Sequence, residues 1–439
     1  MTGTLYPSAA WSLEASEWKA RLGAGDRLMR GLAVVAMLLE IVVFIEPAPV
    51  DVVIISCLAL GLFLRKLDFG AVAVPPLVGL AVFALANLVS MPSAYDPTRA
   101  VWYVFVTLYL IASWFFFVGL IGQFGEPMMA ALTGAYCFAG LISAFLGIGG
   151  YLHLLPYQDT LLLNSRARGL FKDCNVYGPY FVPMALFSLV RLMNPRAAWR
   201  AKGACLALFV AAVVAMFLSF SRACWLNFAV SLAVFFAGQQ LFLGSGIAAR
   251  KRLRIGLFIL LAGAVSVLAL VNTPSVKNML ALRITSNGLQ DYDRIRFATQ
   301  GVSLDAAEKH PLGIGPGQAE LVFGYATHSM YMRILSENGV IALAALLAFV
   351  AATTARAFAV MRSSAREWLR EINLVVLACI AGHLVNSIFI DTVHWRHIWF
   401  VYALPWAPIR SRAFLPGLRF ARPSLRRRFR HAGQGLEVA

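Results

Sequence analysis

The stretch RIGLFILLAGAVSVLALV, residues 254–271, carries no charge after its first residue. An apolar helix of this length, rising about 1.5 Å per residue, covers most of a bilayer's hydrocarbon core. It ends at Asn272. From there to Thr327 the chain turns polar, with Arg283, Arg294, Arg296 and Lys309 ahead of the turn Gly313-Ile314-Gly315-Pro316-Gly317. His328-Ser329-Met330-Tyr331 then opens the next apolar block. Apolar blocks recur at 28–45, 50–64, 71–90, 101–121, 128–150, 175–192, 203–219, 224–243, 254–271, 329–354, 372–390 and 398–411. The chain is 60% apolar and 13% charged over 439 residues, against about 25% charged for an average globular domain. We read it as an all-α polytopic membrane protein of about 12 transmembrane helices with one long loop that itself contains helices. Helices are the default because lipid-facing backbone has to satisfy its own hydrogen bonds. The alternating polarity of a transmembrane barrel is missing.

Charge orients the helices. With the N-terminus in the cytoplasm, 26 of the 38 basic residues fall on cytoplasmic segments, as the positive-inside bias requires. Shifting the thread by one span inverts the bias. The expected organisation is a cytoplasmic segment 1–27, transmembrane helices over 28–271, an outer loop or lid over 272–328, further transmembrane helices over 329–411 and a basic cytoplasmic tail over 412–439. No cleavable signal precedes the first apolar run near Leu28. The tail, with Arg426-Arg427-Arg428, suits anionic membrane lipids. Because the cations sit on cytoplasmic loops, the net charge of +17 points to no nucleic acid partner. Six scattered cysteines without CxxC spacing suggest neither a disulfide framework nor a zinc site.

The outer face collects the residues that need a reason. His328 stands where loop becomes span, in a place for a general base or for a plain interfacial cap. Arg222, in the turn Ser219-Phe220-Ser221-Arg222, has no acid within ten positions, which favours an external anion; snorkelling to headgroups is the plainer alternative. Arg168, Lys172 and Asn175 precede the sixth span, where Asn175 suits an N-cap and a helix N-terminus favours anions. Asp291–His310 reads as a helix, capped by Asn287 or Asp291 and stopped by Pro311 and Gly313. On it Arg294 and Arg296 lie about 200° apart and cannot both face one site. The glycine turn lacks the Lys-Ser/Thr of a phosphate loop and reads as a close backbone turn. His394 and His397 lack a carboxylate cluster beyond Asp391, so no metal or cofactor is expected. Several arginines, one histidine and few acids on one face fit a polyanionic, membrane-borne substrate, since the guanidinium fork matches phosphate oxygens.

These residues resemble the O-antigen ligase and bacterial polysaccharide polymerase superfamily. The resemblance rests on Gly169-Leu170-Phe171 with Asn175, on Ser219 to Arg222, on an arginine (Arg294 or Arg296) in a long loop, on Pro311 to Gly317, and on His328-Ser329 followed by Gly339. It implies a GT-C-like fold in the bacterial inner membrane, both termini cytoplasmic and the active site periplasmic. It further implies an inverting, metal-independent glycosyltransferase whose donor is a glycan on undecaprenyl pyrophosphate. A ligase passes the glycan to the lipid A core; a polymerase passes it to another lipid-linked repeat. His328, Arg222 and Arg294 are the implied catalytic residues, with Arg296, Arg168, Lys172, Asn175 and Tyr331 binding substrate. After the glycine the chain runs Val340-Ile341-Ala342-Leu343, where ligases carry Gly, Thr or Tyr, so ligase and polymerase both stay open. A transporter of lipid-linked glycan is the reading from another class. It calls for midplane charges and related halves, whereas Glu40 is the clear acid in an apolar block and no internal repeat is evident.

Overall fold

Four long helices open on a side chain that satisfies the free amides of a first turn. Asp96 accepts from Thr98 N (2.9 Å) and Arg99 N (3.1 Å), with Pro97 at the first helical position. Asp173 accepts from Asn175 N at 2.7 Å, Ser221 from Cys224 N at 3.4 Å and Ser329 from Met332 N at 3.5 Å. The computed structural model describes residues 23–70, 73–243, 246–271, 273–284 and 291–408. The expected cytoplasmic cations Lys19 and Arg21, the capping candidate Asn287 and the lipid-binding tail with Arg426-Arg427-Arg428 lie outside the described residues. So does the second unit of the chain, residues 410–439.

The helices are α1 (Ala24–Leu39), α2 (Pro49–Phe63), α3 (Val74–Ser90), α4 (Pro97–Phe124), α5 (Glu126–Tyr151), α6 (Gln158–Leu161), α7 (Cys174–Met193), α8 (Trp199–Leu218), α9 (Arg222–Gly238), α10 (Gly246–Val271), α11 (Pro274–Ile284), α12 (Asp291–Lys309), α13 (Ala319–Phe323), α14 (Met330–Ser363), α15 (Glu367–Asn386) and α16 (Arg396–Ala403). Among the described residues the strands are a two-residue hairpin, β1 (Leu162–Leu163) against β2 (Arg166–Ala167). The chain is an all-α polytopic membrane protein. Among the described residues nine helices, α3, α4, α5, α7, α8, α9, α10, α14 and α15, are long and apolar enough to cross a membrane. The other three expected spans hold shorter helices. α1 stops at the buried Glu40, after which Val43 bridges to Phe171. α16, at about 12 Å, is shorter than a ~30 Å hydrocarbon core and is packed inside the protein. Leu257, Phe258, Leu261, Val265 and Leu268 of α10 are each more than half exposed, as a lipid-facing stripe requires.

Hydrogen bonds gather alternate loops at one end of the bundle. Val43 N reaches Leu170 O (3.0 Å), Asp96 N reaches Gln318 Oε1 (2.8 Å), Arg166 Nε reaches Ser219 O (2.7 Å) and Met330 N reaches Ser387 O (3.0 Å). Arg396 forks onto Asp51 with both contacts at 2.7 Å. The remaining loops meet at the other end, through Lys66–Asp26 (2.7 Å), the Arg366–Glu126 ion pair and Arg370 Nη2 to Phe242 O (2.7 Å). This is the alternation that the charge pattern predicts.

α14 is broken. Gly339 sits at φ 83°, ψ 173°, so residues 330–338 form a separate outer piece. The carbonyls that the break frees are satisfied by the glycine turn: Ile314 N donates to Ser336 O (2.9 Å) and Gly315 N to Glu337 O (3.0 Å). Glycine is required on both sides. A Cβ on Gly313 would lie 2.2 Å from Glu337 O, and one on Gly339 2.4 Å from Pro311 O. The turn therefore serves backbone packing, and its amides are not open to a phosphate. Gly339→Ala is expected to destabilise the fold by more than the roughly 1–3 kcal/mol of a left-handed residue alone, read as a lower unfolding temperature of the detergent-purified protein.

Candidate active site

His328 lies on the connection from α13 to α14, one residue before the Ser329 cap. Its own φ is 48°, in the left-handed region that a non-glycine residue rarely adopts. Ser329 Oγ donates to Ser387 O (3.4 Å), and Met330 N is held by the same carbonyl, so the α15–α16 loop fixes where the imidazole starts. The ring lies 5.3 Å from that of Tyr325. Burial lowers its pKa from the ordinary histidine value, and the charge of Arg296 lowers it further, against the opposing pull of Asp173, Glu320 and Asp391. At neutral pH the ring is therefore neutral and able to accept a proton.

A cavity of about 150 Å³ opens beside it, lined by His328, Asp173, Asn175, Glu320, Arg333, Asp391 and Trp395, among others. Its floor is an ion-pair network. Arg333 Nε donates to Glu337 Oε2 at 3.2 Å, Nη1 pairs with Asp391, and the guanidinium lies 4.6 Å over the ring of Tyr103. Glu337 also accepts from Gly317 N (2.8 Å) and Ala319 N (2.9 Å), which ties the glycine turn to the floor. Burial pushes the Asp391 carboxyl up, but Arg333, His394 and its hydrogen bonds together hold it below the ordinary value. Burial likewise drives His394 down to about 4, and its Nε2 lies 3.1 Å from Thr107 Oγ1. Removing Arg333 strands two buried carboxylates. Arg333→Ala is expected to cost about 3–5 kcal/mol, measured as loss of folded protein on size-exclusion chromatography before activity is considered.

The structure sorts the residues singled out by sequence. His328 and Asn175 line the cavity. Arg296 is buried, 8% exposed, within electrostatic reach of His328, on α12 where that helix packs against α14. Arg294 is exposed on the same helix, so of the two arginines it is Arg296 that packs toward His328. Arg222 is exposed, as the first residue of α9. Its turn is fastened to the site by Arg166, which donates to Ser219 O and, from Nη2 at 3.1 Å, to Asn175 Oδ1.

Three expected substrate contacts are engaged elsewhere. Arg168 donates to the carbonyls of Thr160 and Asp159, both at 3.0 Å, closing the α6 turn. Lys172 reaches Glu46 at 3.5 Å. The Tyr331 hydroxyl donates to Leu384 O at 2.8 Å. None of the three lines the cavity. Asn175 is not the cap of α7: Asp173 is, because its side chain accepts from Asn175 N. Among the described residues no group of three or more His, Cys, Asp or Glu is placed to hold a metal. His397 instead packs on Tyr180 and Trp395.

Sequence reasoning missed Arg333, Glu337, Glu320 and Trp395. Arg333 and Glu337 were visible as an i, i+4 pair, and Arg333 as one more exception to the positive-inside bias. Their partner Asp391 is 58 residues further on, beyond any local signal. Residues 207–347 match the family model described as O-Antigen ligase; the match runs from α8 through the Ser219–Arg222 turn, Arg296, the glycine turn and His328 into α14. No curated protein matches the chain.

Proposed function

We propose, from the match of residues 207–347 to the O-antigen ligase family model, that the chain transfers a glycan from undecaprenyl pyrophosphate to a sugar hydroxyl of the lipid A core. The reaction would take place at the periplasmic face of the bacterial inner membrane. The observation that carries this reading is the pairing of a buried Arg296 with a neutral His328 beside a sugar-sized cavity. The acceptor hydroxyl oxygen attacks the anomeric carbon from the face opposite the pyrophosphate. The carbon–oxygen bond to pyrophosphate breaks with its electron pair on the leaving oxygen, so the configuration inverts. His328 takes the hydroxyl proton and returns it to water. Arg296 and Arg222 face the oxygens that gain charge, and pyrophosphate needs no acid to leave.

The family supports ligase and polymerase chemistry alike. A deletion strain separates them: loss of all capped lipid A core marks a ligase, and capping by a single repeat unit marks a missing polymerase. The proposed base also fixes a pH dependence. The folded pKa of His328 lies below the ordinary histidine value, so the competent neutral form persists through neutral pH and is lost as pH falls through that lowered pKa. Transfer rates are expected to be flat near neutrality with an acid limb below about 6.5, a limb that disappears in the residual activity of His328→Ala.

A further inference from the structure

Among the described residues the candidates include a cavity beside His394, the cavity beside His328, a buried Glu40–Asp51–Arg396 cluster and several exposed apolar helix faces; the cavity beside His328 carries an inference furthest. We propose that this cavity is the acceptor-sugar subsite and that its charge selects a neutral or amino pyranose over a phosphorylated one. The proposal rests on the transferase reading above and adds the chemical class of the acceptor.

Size comes first. A buried water needs about 10–15 Å³ of such space, so 150 Å³ holds on the order of ten waters. That is room for one pyranose ring and not for a chain of sugars. Position follows from His328 on the wall, where a bound hydroxyl meets the base. Charge decides the selectivity. The lining has three carboxylates, Asp173, Glu320 and Asp391, and one cation, Arg333. That cation is already compensated by Asp391 and by Glu337 beneath it, and Glu320 pairs with Arg99, so the wall stays net negative through Asp173. Carboxylate oxygens accept from sugar hydroxyls and attract an ammonium group, and they repel a phosphate, which carries about −1.5 to −2 at neutral pH.

The site is built for a donor as well. The guanidinium of Arg333, a donor only, is part of the lining. The indole of Trp395 supplies an apolar wall of the kind sugar rings lie against. Arg296, the proposed pyrophosphate ligand, is absent from the lining. His328 thus stands between a cationic donor side and an anionic acceptor side. That separation of sign keeps the pyrophosphate-linked donor out of the acceptor position and sets the order of the two reactants.

The test uses the full chain in lipid nanodiscs with Ala326→Cys, a substitution on the cavity wall, alkylated by neutral N-ethylmaleimide; the parent chain supplies the background. Glucose, galactose or glucosamine at millimolar concentration is expected to slow alkylation several-fold, and glucose 6-phosphate is not. Glu320→Gln, at the more exposed carboxylate (42% exposed), is expected to narrow that difference. Equal or better protection by glucose 6-phosphate overturns the proposal, as does protection by none of the sugars. Transfer activity without any sugar protection overturns the subsite and leaves the transferase reading standing. Protection by the unphosphorylated sugars without transfer supports the subsite and fails the transferase reading.

Discussion

His328→Ala is expected to lower glycan transfer by a factor of about 100 to 10,000, the usual contribution of a positioned general base, while the protein stays folded in the membrane. Two features make the effect chemical. The ion pairs at the cavity floor, Arg333 with Glu337 and with Asp391, form without the imidazole. The helix start next to it is held by Ser329 and by the Met330 amide on Ser387 O, and neither contact needs the imidazole. Comparing the transfer rate with the amount of folded protein on size-exclusion chromatography checks this. Loss of both together would mean that His328 holds structure and does not perform catalysis.

Arg296→Ala carries the second large effect. A donor aimed at oxygens that gain charge in a water-poor site is worth about 3 kcal/mol, or roughly a hundredfold in rate. Arg296→Lys keeps the charge and loses the fork that matches two phosphate oxygens, so it is expected to fall between alanine and the wild type. Arg294→Ala is the matched control. It removes the same charge from the same helix at an exposed position and is expected to change the rate by about twofold at most, as surface substitutions do. Parallel single-turnover rates for the three variants decide the matter. A large loss in Arg294→Ala with little in Arg296→Ala would return the role to the exposed arginine.

Much of the fold is readable from residue patterns because lipid imposes one strong rule per segment. Each expected apolar block holds a helix, and the loops that the charges place on one side do meet at one end. Lengths are less legible. α1 ends at Leu39 with the buried Glu40 as its C-cap, and α16 reads as a span although its side chains are buried inside the protein. The break at Gly339 sits in an apolar run, and only its match with Gly313 across the glycine turn reveals it.

The site divides the same way. His328 stands at a loop–span boundary in the sequence, and the structure places it on the cavity wall. The 200° between Arg294 and Arg296 showed that one of them must turn away, but only packing of α12 on α14 shows which. Arg168 and Tyr331 looked available because nothing in the sequence tells that backbone carbonyls of Thr160, Asp159 and Leu384 take up their donors. The Arg333 network depends on residues brought together by three separate elements, and local spacing carries only its Glu337 arm.

The most direct measurement of the central claim follows both products of the reaction. The purified chain in proteoliposomes is given an undecaprenyl-pyrophosphate-linked glycan and lipid A core. The account predicts one undecaprenyl pyrophosphate released per glycan joined, with the anomeric configuration inverted and both products lost together in His328→Ala and Arg296→Ala. Transfer with retained configuration, or transfer undiminished in His328→Ala, would contradict it.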